Sequence, residues 1–324
     1  MLLPESESFA ASAQAFARLD WADISASNPG QYFNQQHVPY FGAGYDSTYC
    51  SDTPTTKLYG FGIQGCLVPS NPKFVPDNGF QFYEYVSSKT GTKRPTLAIF
   101  SSDTASGKSS VRNGTVWQQG AGFDVTFAKA LVPPPPVGDY TPYVQQLLTA
   151  DDGEPPDAMY CLLTVDCIGI YQGLKANGYD GVFLSSLYSD VLVKALSGSA
   201  AGIGFTNLTE KNPALDRLRA DVEAVKPGAA VDTGVEIGYA STDFFIQALK
   251  TAAKRRGVSR LTPEAVQQAA AKQTWEIEGL AGPIEYPAST AVPTPSCSSI
   301  VVSDGTAWTT VEPYGCSRKK FPVK

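Results

Sequence analysis

At 324 residues the chain is long for one hydrophobic core and comfortable for two, since single cores stop growing near roughly 250–300 residues. Hydrophobic residues make up 43% and charged residues 17%, a balance that excludes a disordered chain. The net charge of −6 argues against nucleic acid as a partner, because such partners want a basic face to displace counterions. No run of about 18 apolar residues reads as a membrane-spanning helix. The opening Met1-Leu-Leu-Pro-Glu-Ser-Glu-Ser is acidic with Pro4 near its start, so it does not read as a signal peptide.

The elements, taken in chain order, alternate cleanly through the middle third. Leu97-Ala-Ile-Phe-Ser101 predicts a strand, Lys108 to Gln119 a helix ended by Gly120, and Phe123 to Lys129 a strand. Pro133 to Pro136 is a stiff surface loop. Thr141-Pro142 predicts a helix start, with Thr141 as cap and Tyr143, Leu147 and Leu148 as the buried stripe. Strands follow at Asp157 to Leu163, Val182 to Leu184 and Ala201 to Thr206, with helices at Ile168 to Ala176 and Asp190 to Leu196. Strands and helices at this spacing imply βαβ units and a parallel sheet.

Beyond that the pattern changes. Helices are predicted over Asn212 to Val225, Glu236 to Arg256 and Pro263 to Lys272. The second carries Ile237, Ala240, Phe244, Ala248 and Ala252 at helical spacing, and the third has Thr262 as cap. The last fifty residues are rich in strands and turns, at Gly282 to Tyr286, Ser299 to Val302 and Trp308 to Val311.

Six cysteines fall in three local pairs, Cys50 with Cys66, Cys161 with Cys167, and Cys297 with Cys316. Such pairs suit disulfides in an oxidising compartment, although six cysteines allow fifteen pairings and six reduced buried thiols are the alternative. With no C-x-x-C and one histidine, His37, a zinc site is a poor reading. Cysteines that suit export, without a signal, imply a true N-terminus upstream of Met1.

Ser102-Asp-Thr-Ala-Ser-Gly107-Lys108-Ser109 follows a strand and opens a helix, the place of a phosphate loop. Ser102 stands where the first glycine should be, and no second nucleotide signature occurs. The milder reading is a polar ligand at a strand end facing a helix N-terminus. Gly42-Ala43-Gly44 is a lone G-x-G that reads locally as a tight turn. Ser185, Ser186 and Tyr188 follow another strand and read locally as capping. Asn113-Gly-Thr115 and Asn207-Leu-Thr209 match glycosylation sequons, a pattern that arises by chance. His37 precedes Val38-Pro39 and reads as a turn residue with no nucleophile nearby, and Asp151-Asp152 reads as solvated. The chain is built to bind and not to react.

Val38-Pro-Tyr-Phe-Gly-Ala-Gly-Tyr45 and Tyr59-Gly-Phe-Gly-Ile-Gln-Gly-Cys66-Leu-Val-Pro69 resemble a segment of actinobacterial extracellular solute-binding proteins. Ala98 to Lys108, Asp139-Tyr-Thr-Pro-Tyr143-Val, Gly173 to Asp180, and Pro293 to Cys297 followed by Cys316 agree with that family in order. The family is the type I two-lobed class of ABC-importer binding proteins, related to the branched-chain amino-acid binders. The resemblance implies an α/β fold of two Rossmann-like lobes with parallel sheets, joined by hinge crossings, with ligand in the cleft between them. It assigns residues 1–92 and 234–290 to the first lobe, and 93–233 and 291–324 to the second. The family's first lobe opens with several βα units before Val38-Pro39, so it implies an incomplete first lobe lacking on the order of 100 residues at about 30 per unit.

Carried over position by position, the cleft residues are Ser25, Ser27, Gly42, Ala43 and Gly44 in the first lobe. In the second they are Ser106, Leu163, Thr164, Ser186 and Tyr188, and the strand-end loop reading adds Ser102 and Asp103 to the candidate site. The amino-acid binders carry a tyrosine where Ser106 stands and an acidic residue near Ser186. Their absence points to a neutral or weakly polar solute. The implied partners are a small-molecule solute and membrane permease subunits, with no nucleic acid, no cofactor and no metal. The implied location is extracytoplasmic, with a lipid anchor on the full-length protein. The implied role is transport and not catalysis. The alternatives are a ligand-sensing domain of the same fold coupled to a regulator, or a non-functional fragment.

Overall fold

The computed structural model describes residues 29–44, 47–50, 57–66, 74–75, 77–134, 136–163, 166–185, 188–286, 296–317 and 321–322. Its centre is a seven-stranded sheet. Five strands are mutually parallel: β4 (Thr96–Ser102), β5 (Asp124–Val132), β6 (Ala158–Cys161), β7 (Val182–Ser185) and β8 (Ala200–Ile203). Two antiparallel strands from the end of the chain, β11 (Ser296–Ser303) and β12 (Trp308–Ser317), extend it to give the order β12-β11-β8-β7-β6-β4-β5. Leu97, Ala98, Ile99 and Phe100 are all fully buried, as a continuous apolar run in a doubly covered sheet should be.

Helices cover both faces of this sheet. Phe82 and Val86 of α2 (Asp77–Thr90) and Val111 of α3 (Ala105–Ala121) pack with Leu97, Ile99, Ala158 and Leu184. Val144 and Leu147 of α4 (Thr141–Leu148) and Ile170 and Leu174 of α5 (Asp166–Ala176) join Ala98, Phe100, Met159 and Phe183 on the opposite face. The period-two alternation along β4 sends neighbouring residues to different clusters.

A smaller unit is built from α1 (Pro29–Gln35), the parallel pair β1 (Tyr40–Gly42) and β2 (Gly60–Gly62), α7 (Thr233–Arg256), α8 (Pro263–Ala270) and the antiparallel hairpin β9 (Thr274–Ile277) and β10 (Ala281–Glu285). Its core is aromatic. Phe41 lies 5.2 Å from Phe61 and 5.1 Å from Phe244, whose ring stacks on Trp275 at 5.4 Å. A short antiparallel pair, β3 (Phe74–Val75) with β13 (Phe321–Pro322), and the helix α6 (Pro213–Val225) complete the described elements.

The caps are local, and among them Thr262 is the one expected from the sequence. Asn212 accepts from Ala214 N, Asp232 from Val235 N, and Thr262 from Ala265 N. Three expectations are corrected. Thr141 is the first residue of its helix and not the cap, because the Asp139 carboxylate already takes the Thr141 N–H at 2.9 Å. The buried stripe there is Val144 and Leu147, with Tyr143 and Leu148 half-buried. Asp190 to Leu196 forms one 3₁₀ turn, Asp190–Leu192, and the strand after Ala200 ends at Ile203, since Thr206 N turns out of the sheet to Leu280 O at 3.0 Å.

All three local disulfides form. Cα separations are 4.9 Å for Cys50–Cys66, 6.0 Å for Cys161–Cys167 and 4.0 Å for Cys297–Cys316. The first sits in the smaller unit, the second closes the loop leaving β6, and the third joins β11 to β12.

Candidate functional site

Parallel strands present their C-terminal ends on one side of a sheet, where following helices aim unpaired N–H groups, and ligands gather there in α/β folds. In the larger unit the register sets these ends side by side. Leu162 N donates to Phe100 O at 2.9 Å, Ser101 Oγ to Leu162 O at 2.9 Å, and Cys161 lies opposite Ser185. Ser102, Leu163 and Ser185 therefore follow one another along one edge.

The turn from β4 to α3 is built on two residues. Thr104 is the cap, its Oγ1 accepting from Gly107 N at 3.0 Å and lying 3.1 Å from Ser102 Oγ. Gly107 sits so close to β4 that a Cβ there would lie 2.1 Å from the Ser102 carbonyl oxygen. The glycine thus serves close packing of helix on strand, and Ser106 beside it in the first turn is half-buried. Lys108 does not cross the helix end: its ammonium pairs with Asp103 at 2.7 Å, with both side chains more than half exposed. An exposed pair of this kind contributes about 0–1 kcal/mol.

In the smaller unit Gly42-Ala43-Gly44 interlocks with the turn leaving β2. Ile63 N donates to Gly42 O at 2.8 Å and Gly65 N to Gly62 O at 2.7 Å. Gly44 has φ +93°, and a Cβ on it would lie 2.6 Å from Gly65 O. Two backbones meet with no room for side chains, and the Cys50–Cys66 bridge staples the second turn from beyond.

The two edges face each other. A Cβ on Gly204, just after β8, would lie 2.7 Å from the Gln64 side chain, just after β2. Around this approach, Thr206 Oγ1 donates to Gly279 O at 2.9 Å and Thr233 Oγ1 to Tyr188 O at 2.6 Å. Gln64 is a site-facing residue that the sequence reading missed. Its signal is a lone amide between Gly62-Ile63 and Gly65 at a strand end.

Tyr188 sits elsewhere than its motif suggested. It is 2% exposed, and its hydroxyl donates to Asn207 Oδ1 and accepts from Leu208 N at 2.8 Å. Its ring packs 5.4 Å from Trp308. Leu163 is likewise in the core. Ser25, Ser27, Thr164 and Ser186 lie outside the described residues.

Two buried carboxylates stand close to this edge or to the α7 start. Asp166, in the first turn of α5, accepts from Tyr140 OH at 2.6 Å, a bond that pushes the Tyr140 phenol up to about 12. Glu236, one turn into α7, is fully buried on the stripe of Ala240 and Phe244. Both sequon asparagines are inside the fold, with Asn113 1% exposed and Asn207 fully buried, so neither presents a sugar acceptor. His37 is exposed in a left-handed turn and stacks on Tyr59 at 5.1 Å. Among the described residues no group of three His, Cys, Asp or Glu could hold a metal, and no helix is long and apolar enough to cross a membrane.

Opposed strand ends on two α/β units define the architecture of a two-lobed solute binder. The chain belongs to the periplasmic binding protein family, whose model matches residues 7–305. Among solved structures it is similar to a fatty acid ABC transporter substrate-binding protein from Thermomonospora curvata, with TM-score 0.65 and 18% identity over 93% of this chain and 75% of that one. It is also similar to a branched chain amino acid ABC transporter protein from Thermus thermophilus with bound valine (TM-score 0.63, 15% identity, 90% and 75%). A solute binding protein from R. palustris in complex with benzoate gives TM-score 0.64 at 12% identity, over 89% and 75%. At these identities the likeness is one of fold. No curated protein matches the chain.

Proposed function

We propose that this protein is the extracytoplasmic solute-binding component of an ABC importer and that it captures a small organic solute between its two units. The observation that carries the reading is the approach of Gln64 to Gly204, which sets the C-terminal edge of β2 against that of β8. Family membership and three staples suited to an oxidising compartment support the location. In this reading the described residues within 29–66 and 233–285 form one lobe and those within 77–225 and 296–317 the other; α2 packs on the larger sheet, so the boundary expected at residue 92 moves ahead of that helix. Gly42 to Gly44 and Gln64 supply one wall through backbone groups and an amide. Ser102, Ser106 and the segments around Leu163, Thr164 and Ser186 supply the other. Tyr188 and Asn207 hold the β7 segment in place from behind.

The solute is neutral or weakly polar in this reading, because the exposed charges at the edge, Asp103 and Lys108, are spent on each other. The structural neighbours span valine, a fatty acid and benzoate, so these three chemistries form the natural first panel. Native mass spectrometry of protein purified from its own host should find a small-molecule adduct. Thermal shift against valine, octanoate and benzoate should then rank the chemistry, and Gln64→Ala should weaken the best binder about tenfold, the loss of one hydrogen bond. No adduct, and no shift across the panel and the wider amino-acid and carboxylate classes, would sink the proposal.

A further inference from the structure

The last turns of α7 and the 3₁₀ turn after it, Val258–Arg260, concentrate positive charge. Between Phe244 and Pro263 the sequence holds Lys250, Lys254, Arg255, Arg256 and Arg260 and not one Asp or Glu, in a chain whose net charge is −6. All five cations are exposed. Cations in the final turn complement the partial negative charge of a helix C-terminus, which accounts for Lys254, Arg255 and Arg256. That does not account for Lys250, more than a turn earlier, or for Arg260 beyond the helix. It does not account for Val258 either. Gly257 ends the helix at φ +82°, and the chain then presents Val258 at 76% exposure between Arg256 and Arg260.

An apolar tip ringed by cations has the composition of a contact with an anionic bilayer surface. The cations meet headgroup phosphates while the apolar side chain enters the interfacial layer. We infer that this end of α7 is a membrane-surface contact whose partner is an anionic phospholipid bilayer. It lies at the end of α7 opposite the Thr233 end that bonds Tyr188, so it leaves the opposed strand edges free. Arg256 also donates to Gln268 Oε1 at 2.9 Å, which ties the tip to α8 and keeps it rigid.

The test is co-sedimentation of the full chain with vesicles of phosphatidylglycerol and phosphatidylcholine in equal parts, against phosphatidylcholine alone. The expected result is binding to the first at low salt, little to the second, and release as salt rises. Each of Lys254→Gln and Arg255→Gln, checked for unchanged thermal unfolding, should lower the partition coefficient about fivefold, at about 1 kcal/mol per cation. Val258→Ser, which leaves the charge unchanged, should also lower it at constant salt. Equal binding to both vesicles, or no binding to the anionic ones, overturns the inference. So does insensitivity to the lysine and arginine substitutions. Insensitivity to Val258→Ser alone also overturns it, in favour of a purely Coulombic site for any polyanion.

Discussion

Gly107 offers a test in which two physical effects have opposite signs. It lies inside a helix, where alanine is favoured over glycine by about 0.8–1.0 kcal/mol, so propensity alone predicts that Gly107→Ala stabilises the protein. The tertiary structure predicts the reverse. The new Cβ would lie 2.1 Å from the Ser102 carbonyl and 3.0 Å from Ser101 Oγ. Reaching ordinary contact at 3.4 Å requires α3 and β4 to part by about 1.3 Å, the difference of those two distances. Ser101 Oγ is itself bonded to Leu162 O, and Asp103 N is bonded to Val132 O at 2.6 Å, so the strand end is held on both sides. Overpacking costs about 1–3 kcal/mol, and a fixed backbone carbonyl places this case at the upper end. Subtracting the propensity gain leaves a net loss of about 2 kcal/mol. Gly238 is the internal control: it lies in α7, is exposed, and a Cβ there meets nothing within 4 Å. Gly238→Ala should therefore stabilise by about 0.8–1.0 kcal/mol. Urea titration followed by far-UV circular dichroism reads both, as midpoints moving in opposite directions at unchanged slope. If Gly107→Ala raises the midpoint as Gly238→Ala does, the close packing of α3 on β4 is wrong, and with it the tight turn after Ser102.

Asn207 donates to Trp308 O at 3.1 Å and Thr310 Oγ1 at 2.9 Å while accepting from Tyr188, so Asn207→Ala should cost about 3 kcal/mol and blur the near-UV dichroism of Trp308. Expression in a glycosylating host should leave Asn207 and Asn113 without sugar in the folded protein, which peptide mapping would show. Tyr140→Phe removes the donor to the buried Asp166 and should cost about 1.5–3 kcal/mol at neutral pH. The Tyr140 phenol is raised in the fold, from an ordinary 10.0 to about 12, so its contribution is complete below about pH 10 and is lost as pH climbs through about 12. The stability gap between wild type and Tyr140→Phe should close over that window, and a gap constant to high pH would remove Asp166 as its partner.

Much of the architecture was legible because its signals are local. The apolar run Leu97 to Ser101 reads as a strand, and Thr262 before Pro263 as a helix start. Each depends on residues within a few positions of itself. The disulfides were proposed as local pairs, and the fold closes each of them, at separations of 16, 6 and 19 residues. Helix α2 escaped the reading, because Phe82 and Val86 acquire a buried face only when the sheet arrives beneath them. Glu236 escaped too: a charged residue at the head of an apolar stripe reads as solvent-facing until the fold encloses it.

Sequence alone therefore determined the α/β class and the succession of elements through the middle third, both consequences of short-range pattern, and offered the three staples as one choice among fifteen pairings. Tertiary structure decided which candidates face one another. Gln64 reaches Gly204 across about 140 residues of chain, and Tyr188 turns inward because Asn207 and Trp308 are waiting for its hydroxyl and its ring. Neither fact can be written in local propensity. A side chain's partner is set by where distant backbone segments come to rest, and a tyrosine after a strand satisfies the same local rules whether its hydroxyl ends in a cleft or in the core.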